Sequence, residues 1–499
     1  MTLFAVDLLQ ERWAAGAAMR QAATLQRSLY DSLRKAVLDG GLPPSTRLPA
    51  SRDLAQALNL SRNTVKAAFE QLVAEGYLRA TTGSGTYVCD VLPEEVLWAS
   101  ADKSAGRPEQ DWPTPEIKLS KRGSQVLERT WTLGSQWAPF VSGVPDVEEF
   151  PQKKFDRLEA LWRGRQRAQW LTYGGNEASR ALRIAIADYL RQARSVRCEP
   201  DQIVITDGVH QAVELTTRLL ADVGDSAWVE DPGYWGIRKL LAINGLRVIG
   251  RPVDAEGMTL PASKRHAVPK IILVTPSHQY PLGAVMSLRR RGELLDYAIR
   301  NKIWIVEDDY DSEFRFSGHP IPCLQGLVPN SPVIYIGTFS KTLYPGLRVA
   351  YMVLPRAACR AFSNAHSELH RMGRQATHAT LAAFLAEGHF SAHIRKMRLI
   401  YAQRRHKLRQ LILDEFGEHA MHPFDSNAGL HLVMRLPDGV DDVAIADHAK
   451  REGIVVQPLS RYHLQPKNAS GLLLGFGAVH PDRMEAPFKT LAKVIRAAS

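Results

Sequence analysis

Four short apolar runs restrict the fold of this 499-residue chain more than any other feature: IVIT at 203–206, IILVT at 271–275, IWIVED at 303–308 and VIYIGT at 333–338. None alternates apolar with polar residues, so each reads as a strand buried on both faces, and segments of helical periodicity separate them. Strands alternating with helices give an α/β fold, a mostly parallel sheet covered by helices on both sides. We assign residues 119–499 to this domain and expect a smaller C-terminal α+β subdomain within it.

The preceding residues follow a different rule. Leu25, Leu29, Leu33 and Val37 recur every four positions, which describes one helical stripe, and Gly40-Gly41 ends it. Ser51 is placed to cap a short helix carrying Leu54 and Leu58, Asn59-Leu60 to make a turn, and Ser61 to cap a second helix that buries Val65, Phe69, Leu72 and Val73. Residues 79–88, with the tip Gly83-Ser84-Gly85, read as a hairpin. This domain spans 20–90. Between the two, residues 91–118 carry Pro93, Pro108, Pro113 and Pro115 without lasting periodicity, as a linker does.

Composition serves mainly to exclude. An apolar fraction of 45% with 23% charged residues argues for a folded chain. No apolar stretch approaches a membrane span, and Asp7 and Glu11 stand where a secretory signal would carry cations, so a cytoplasmic protein is expected. Cys89, Cys198, Cys323 and Cys359 lie far apart without a CxxC pair, which suggests neither a metal site nor disulfides. The net charge of +11 suits a polyanionic partner, yet the first 90 residues hold ten Lys or Arg against eight Asp or Glu, a net of +2. Charge therefore does not locate a nucleic-acid site; pattern must.

The second N-terminal helix opens Ser61-Arg62-Asn63-Thr64 and continues to Lys66, residue types suited to a major groove. Arg donates twice to guanine, Asn pairs with adenine, and Ser or Thr joins helix N-terminal amides on a phosphate. Arg47, Ser51, Arg52, Arg79 and the tip Gly83, Ser84, Gly85 and Thr86 are the candidate backbone contacts. The competing reading is a helical hairpin with a solvated polar face. Against it, RLPASRDLA, LSRNTV, AEGYL and GSGTYV, in this order, resemble the winged helix-turn-helix of the GntR regulators, which implies double-stranded DNA as partner.

Four segments of the larger domain carry the parts that pyridoxal 5'-phosphate needs: an amine, an acid for the pyridine nitrogen, an aromatic face and a phosphate cup. GTFSKTLYPGLR supplies Lys341 as the amine, with Thr338, Ser340 and Arg348 as phosphate donors. IWIVEDDYDSEF places Asp308 at a strand end, to hold the ring nitrogen protonated, and Tyr310 to bond the ring oxygen. The acidic cluster Glu307-Asp308-Asp309 alternatively only caps a helix. In IVITDGVHQ the amides of Gly208, Val209 and His210 stand at a helix N-terminus, ready for an anion. Tyr234 in DPGYW is the candidate stacking ring, with Trp235 second, and core packing is the alternative for both.

In this order the segments resemble fold-type I aminotransferases over roughly residues 140 to 495. That resemblance implies that Lys341 is the cofactor lysine, that Asp308 pairs with the ring nitrogen and that Arg348 grips phosphate. It further implies that Tyr173, in YGGNEASRALR, reaches a partner subunit's phosphate. The whole layout is similar to the MocR-type (GabR- and PdxR-like) subfamily of GntR transcriptional regulators, with TPSHQYPLG and EDDYDSEF closer to that group than to free-standing aminotransferases. From the group comes the expectation of a head-to-tail, domain-swapped homodimer.

The departures bear on chemistry. Where aminotransferases place an Arg near the C-terminus to clamp the substrate carboxylate, GLLLGFG has Leu473. The aminotransferases' usual Asn at the ring oxygen becomes Tyr280, and the Arg that GabR-like sensors carry soon after the stacking tyrosine becomes Gly236, with Arg238 two places on. The expectation is a regulator that senses the cofactor itself or an amine, amino acid or other amino compound, with little or no transaminase turnover. A working aminotransferase carrying a DNA-binding domain, with Arg238 or another Arg as clamp, is the alternative; a cofactor-free scaffold leaves Lys341, Asp308, Tyr310 and Arg348 unexplained. Arg398, Arg404, Arg405 and Lys407 fall on one long helix, read as a solvated face in preference to a non-specific DNA track.

Overall fold

The computed structural model describes residues 2–15, 24–81, 83–90, 118–127, 137–165, 177–261, 267–317, 322–371, 373–437, 439–465 and 470–498. Tyr173 and nearly all of the expected linker lie outside them. The chain divides into two compact units, Met1–Ile117 and Lys118–Ser499.

In the first unit, helices α1 (Thr2–Ala15), α2 (Leu25–Leu38), α3 (Ser51–Leu58) and α4 (Arg62–Ala74) are followed by the antiparallel strands β1 (Leu78–Thr81) and β2 (Gly85–Val88). One apolar core joins them, and α1, which precedes residue 20, adds Ala5 and Leu9 to it. Of the expected stripe on α2, Leu29, Leu33 and Val37 are buried while Leu25 is 52% exposed. A four-residue spacing drifts about 40° per step around a 3.6-residue helix, so the first member of the series turns off the core. On α4 the buried residues are Val65, Ala68, Phe69 and Leu72, whereas Val73 is 36% exposed, because it lies about 100° around the helix from Leu72. Ser51 does not cap α3. The cap position is Ala50, without a side-chain bond, and Ser51 lies inside the first turn. Ser61 does cap α4, its Oγ accepting from the Thr64 amide at 3.1 Å.

The second unit is built on an eight-stranded sheet. Its strands are β3 (Ile203–Thr206), β4 (Ser226–Asp231), β5 (Arg247–Asp254), β6 (Gly257–Met258), β7 (Ile271–Val274), β8 (Trp304–Asp309), β9 (Val333–Thr338) and β10 (Ala350–Val353), in spatial order β3-β10-β9-β8-β7-β4-β5-β6. The run β9-β8-β7-β4-β5 is parallel; β10 runs antiparallel to both its neighbours and β6 to β5. The intervening helices of this unit are α5 (Lys121–Leu127), α6 (Gln152–Arg165), α7 (Glu177–Ala193), α8 (Val209–Leu220), α9 (Trp235–Ile243), α10 (Leu288–Asn301), α11 (Cys359–His370), α12 (Gln375–Ala386) and α13 (His389–Phe416).

Successive strand residues feed opposite faces, as the two-residue period requires. Ile334 and Ile336 pack with α8, α9 and α11, while Tyr335 between them joins the core shared with α7, α12 and α13. A second, antiparallel sheet of order β11-β13-β12 (His431–Arg435, Gly471–Gly475, Gln457–Pro458) forms the smaller C-terminal part, with α14 (Asp442–Arg451) and α15 (Glu485–Ala498). The fold class expected from the four apolar runs is the one observed.

The long helix α13 departs from expectation. Arg404 and Arg405 are buried, and Arg404 Nη2 meets Asp146 Oδ2 at 2.6 Å while Arg405 pairs with Asp425. Arg398 Nε donates to the Glu313 carbonyl at 2.6 Å. A buried guanidinium requires a partner, and these partners lie far along the chain, so the solvated-face reading is corrected: part of this charge is internal.

Candidate functional site

The ends of the parallel strands converge on a cavity of about 350 Å³ whose walls include Gly208, Val209, His210, Tyr234, Tyr280, Asp308, Tyr310, Thr338, Ser340, Lys341 and Arg348. Every described residue expected to hold the cofactor therefore lines one space. Asp308 is the penultimate residue of β8, Thr338 ends β9, and Gly208 follows β3 as the N-terminal cap of α8, which places all three at the carboxyl edge of the sheet.

Local backbone explains several of these placements. Gly208 has φ +103°, and a Cβ there would lie 2.8 Å from Arg348 Nη2, so a side chain would close the space beneath the guanidinium. Arg348 itself has φ 52°, and its Nη2 donates to the Asp207 carbonyl at 2.8 Å. Lys341 Nζ donates to the carbonyl of Gly143 at 2.6 Å. The Ser340 amide donates to Thr338 Oγ1 at 3.1 Å.

Electrostatically the cavity is divided. Burial, reinforced by the neighbouring Asp309 charge, pushes the Asp308 carboxyl up to about 7. Its Oδ1 is buried without a hydrogen-bond partner among the described residues. Such an orphan is costly unless something absent from the protein alone completes it. Burial also lowers the Lys341 ammonium below its ordinary value, against the pull of Asp311 and Asp308, which moves it toward the unprotonated form a nucleophile needs. Glu230 beneath the site is pushed up to about 7 by burial and accepts from Thr275 Oγ1 at 2.5 Å.

Several residues were not singled out from the sequence. Gly143, 198 positions from Lys341, carries no signal of its own. His278 stands between Tyr310, whose hydroxyl is 2.9 Å from its Nδ1, and Asp311, whose two oxygens are each 3.1 Å from the same nitrogen. Both lie within phrases already quoted, TPSHQYPLG and EDDYDSEF, where a His and an acid at the mouth of strands were the available signal. Tyr462, whose hydroxyl is 3.1 Å from that of Tyr280, and Gln457 and His431 complete the far wall. Burial lowers His431 to about 4, so its ring is neutral.

Leu473 is fully buried, packed with Leu282, Val433, Leu459 and Tyr462. Arg238 does not take over its role: Nη1 donates to the Tyr462 carbonyl at 2.6 Å and Nη2 to that of Arg461 at 3.2 Å, and the residue is not in the cavity wall.

In the first unit, Arg62, Asn63 and Lys66 are exposed along the start of α4, and Arg52 is exposed on α3. Thr64 and Ser61 spend their hydroxyls on each other at 2.8 Å. Lys66 pairs with Glu70 at 3.4 Å, and Arg79 with Asp90 at 3.4 Å and with Ser45 Oγ at 3.1 Å. Gly83 (φ +78°), Ser84 and Gly85 are exposed at the hairpin tip, Thr86 and Ser51 half-buried. Gly85 (φ +127°) admits Arg47, whose Nε would lie 3.0 Å from a Cβ there.

Comparison with known proteins agrees with this division. Residues 25–88 match the bacterial regulatory proteins of the gntR family, and residues 149–473 match aminotransferase class I and II. The probable rhizopine catabolism regulatory protein MocR of Rhizobium meliloti is 35% identical over 478 residues, 94% of this chain and 93% of that protein. The pyridoxine biosynthesis transcriptional regulator PdxR of Corynebacterium glutamicum is 31% identical over 93% of this chain and 94% of its own. Among solved structures, the multiple substrate aminotransferase of Thermococcus profundus superposes with a TM-score of 0.66 at 24% identity, covering 77% of this chain and 96% of that enzyme. At that identity the likeness shows the fold.

Proposed function

Because this chain belongs to the MocR-type transcriptional regulators, in which a GntR-family helix-turn-helix precedes an aminotransferase class I and II domain, we propose that it is a DNA-binding regulator whose second unit holds pyridoxal phosphate and senses that compound or an amine. The residues present fit the cofactor. The partnerless Asp308 Oδ1 suits a protonated ring nitrogen, and the space kept by Gly208 beneath Arg348 suits a phosphate.

When bound, pyridoxal phosphate supplies an aldehyde that condenses with amines and a ring that withdraws electrons. Lys341 would supply the amine that anchors it. Asp308 would keep a proton on the ring nitrogen, and Tyr234 would stack on the ring. Tyr310, its hydroxyl held by His278, would bond the ring oxygen. Arg348, Ser340 and the amides of Gly208, Val209 and His210 would hold the phosphate.

The single observation that carries the sensing role is the charge of the cavity wall: its arginines and lysines, among the described residues, are Lys341 and Arg348, both committed to the cofactor. With Leu473 in the apolar cluster and Arg238 bound to backbone carbonyls, no described residue of that wall is left to clamp a substrate carboxylate bidentately. Efficient turnover needs that orientation, whereas reversible capture of an amine does not. The test is an absorption titration of the cofactor-loaded protein with amino acids and amines. A stable shift without keto-acid release is expected; repeated turnovers with amino acid and keto acid overturn the reading. On the first unit, Arg62, Asn63 and Lys66 on α4 are assigned to the major groove, and Arg47, Arg52, Arg79 and the tip to the DNA backbone. A homodimer, with Tyr173 serving the partner subunit's phosphate, is part of the same proposal.

A further inference from the structure

Tyr310 is backed by a buried pair, His278 and Asp311, whose side chains are 4% and 2% exposed and which follow the neighbouring parallel strands β7 and β8. The backbone makes room for them. Gly429 has φ +78°, and a Cβ there would lie 2.6 Å from His278 Nδ1 and 2.8 Å from Asp311 Oδ2, so glycine is what lets the chain pass the pair. A buried pair of this kind contributes little to stability beyond what apolar side chains of the same shape would give. Its place beside a ligand cavity calls for another role.

The hydrogen bonds fix where the proton between them sits. His278 Nδ1 is 3.1 Å from each Asp311 oxygen and 2.9 Å from the Tyr310 hydroxyl. An ionised carboxylate accepts and cannot donate, so Nδ1 carries the proton. A ring nitrogen that carries a proton has no lone pair to offer, and toward it the phenol oxygen of Tyr310 is an acceptor. The phenol's own proton is left for another partner. Among the described residues the Tyr310 hydroxyl has no second hydrogen bond. Tyr310 and Asp311 line the cavity, whereas His278 stands behind them outside its wall.

We infer that His278, anchored by Asp311, is a positioning residue for the cofactor: it holds the Tyr310 oxygen as an acceptor and so turns the Tyr310 proton toward the cofactor's ring oxygen. This rests on the reading that Tyr310 faces that oxygen. Without His278, the carboxylate of Asp311, which acts on Tyr310 more strongly than its other charged neighbours do, competes for the same proton. The remaining titratable groups that act on Tyr310 or face His278 are Asp308, Glu230, Tyr280 and His431, and the test alters none of them.

The experiment follows the absorption of the cofactor-loaded full chain against pH, between about 5 and 10, in the wild type, Tyr310→Phe, His278→Leu, His278→Gln and His278→Asn. A donor on the ring oxygen stabilises the more negative, deprotonated form of the bound cofactor and lowers the midpoint of the band's titration, by about one pH unit for a hydrogen bond to a charged group. Tyr310→Phe should therefore raise the midpoint by about one unit, and His278→Leu and His278→Gln should raise it nearly as far. His278→Asn should stay near the wild type, because its amide nitrogen reaches the position of Nδ1 and that of Gln reaches past it. Asn against Gln decides the matter even where the Leu variant does not fold. If the chain holds no cofactor, or if Tyr310→Phe leaves the midpoint in place, the reading of Tyr310 fails and the inference with it. If Tyr310→Phe raises the midpoint while Leu and Gln at 278 leave it or lower it, Tyr310 donates to His278 and the inference alone fails. Equal midpoints for the Asn and Gln variants overturn it as well, since the role assigned to Nδ1 is then not what moves the band.

Discussion

Asp308 shows how one residue can be set against the stability of its own fold. Its carboxyl is pushed up to about 7, mainly by burial, while an unfolded aspartate releases its proton near its ordinary value of 3.8. Between those values the folded chain holds a proton that the unfolded chain has lost, so the group's contribution to stability is complete below the unfolded value and is lost as pH rises through 7. Above that, the cofactor-free protein bears a buried carboxylate with one oxygen unpartnered. Asp308→Asn removes that charge and should raise the melting temperature of the cofactor-free protein at pH 8, by an amount worth on the order of a few kcal/mol. The advantage should shrink as pH falls toward 4, and the same variant should retain cofactor poorly. Melting curves of both proteins between pH 4 and 8 check this; a wild type that is the more stable at pH 8 without cofactor contradicts it. Glu230 and Glu307, both pushed up to about 7 by burial, move overall stability the same way, so the comparison rests on the difference between the two proteins.

At the scale of elements, α4 and α13 are both helices with cations on them and have opposite uses. On α4, Ser61 caps the first turn and leaves Arg62, Asn63 and Lys66 exposed. If Arg62 and Asn63 read bases, alanine at either should cost about 1–3 kcal/mol and relax sequence preference at one position, whereas Lys66→Ala on a phosphate should lower the salt slope by about 1 for all sequences. Binding isotherms on operator and random DNA at several salt concentrations separate the two roles. On α13, Arg404→Ala leaves Asp146 buried without its partner and should cost about 3–5 kcal/mol with no change in that salt slope. Unfolding and DNA titrations of one preparation decide it, and a lowered slope at full stability would restore the DNA-track reading. The sequence showed that α13 is helical but not that its arginines are interior, because Asp146 is 258 positions away and a helical period says which residues share a face, not what lies opposite. For the same reason Leu25 and Val73 were placed on buried faces, since an apolar residue near a stripe reads the same whether or not a neighbour covers it.

For the molecule as a whole, the alternation of strands and helices was enough to read the larger unit, because a strand buried on both faces has few other places to go. The cavity was legible to the extent that each strand end carried its own chemical residue, as with Asp308, Lys341 and Gly208. It was opaque where tertiary closure brings in a bare carbonyl such as that of Gly143, or a second wall such as Gln457 and Tyr462. Two compact units, each with its own apolar core, imply separate cooperative transitions, and every cofactor-holding residue assigned within the described chain belongs to the second. Calorimetry of the full chain should therefore show two transitions. Added pyridoxal phosphate at about 100 times its dissociation constant should stabilise the second by about 2.7 kcal/mol while the first stays in place. Lys341→Ala should abolish most of that shift. A regulator must nevertheless pass information from one unit to the other, and the free energy available for doing so is limited to the ligand's difference in affinity between the two states of the chain. If the first transition moves together with the second, part of the cofactor's binding energy reaches the DNA-binding unit directly. If only the second moves, the coupling must operate when DNA is bound, and repeating the scan with operator present should then show the first transition responding to cofactor as well.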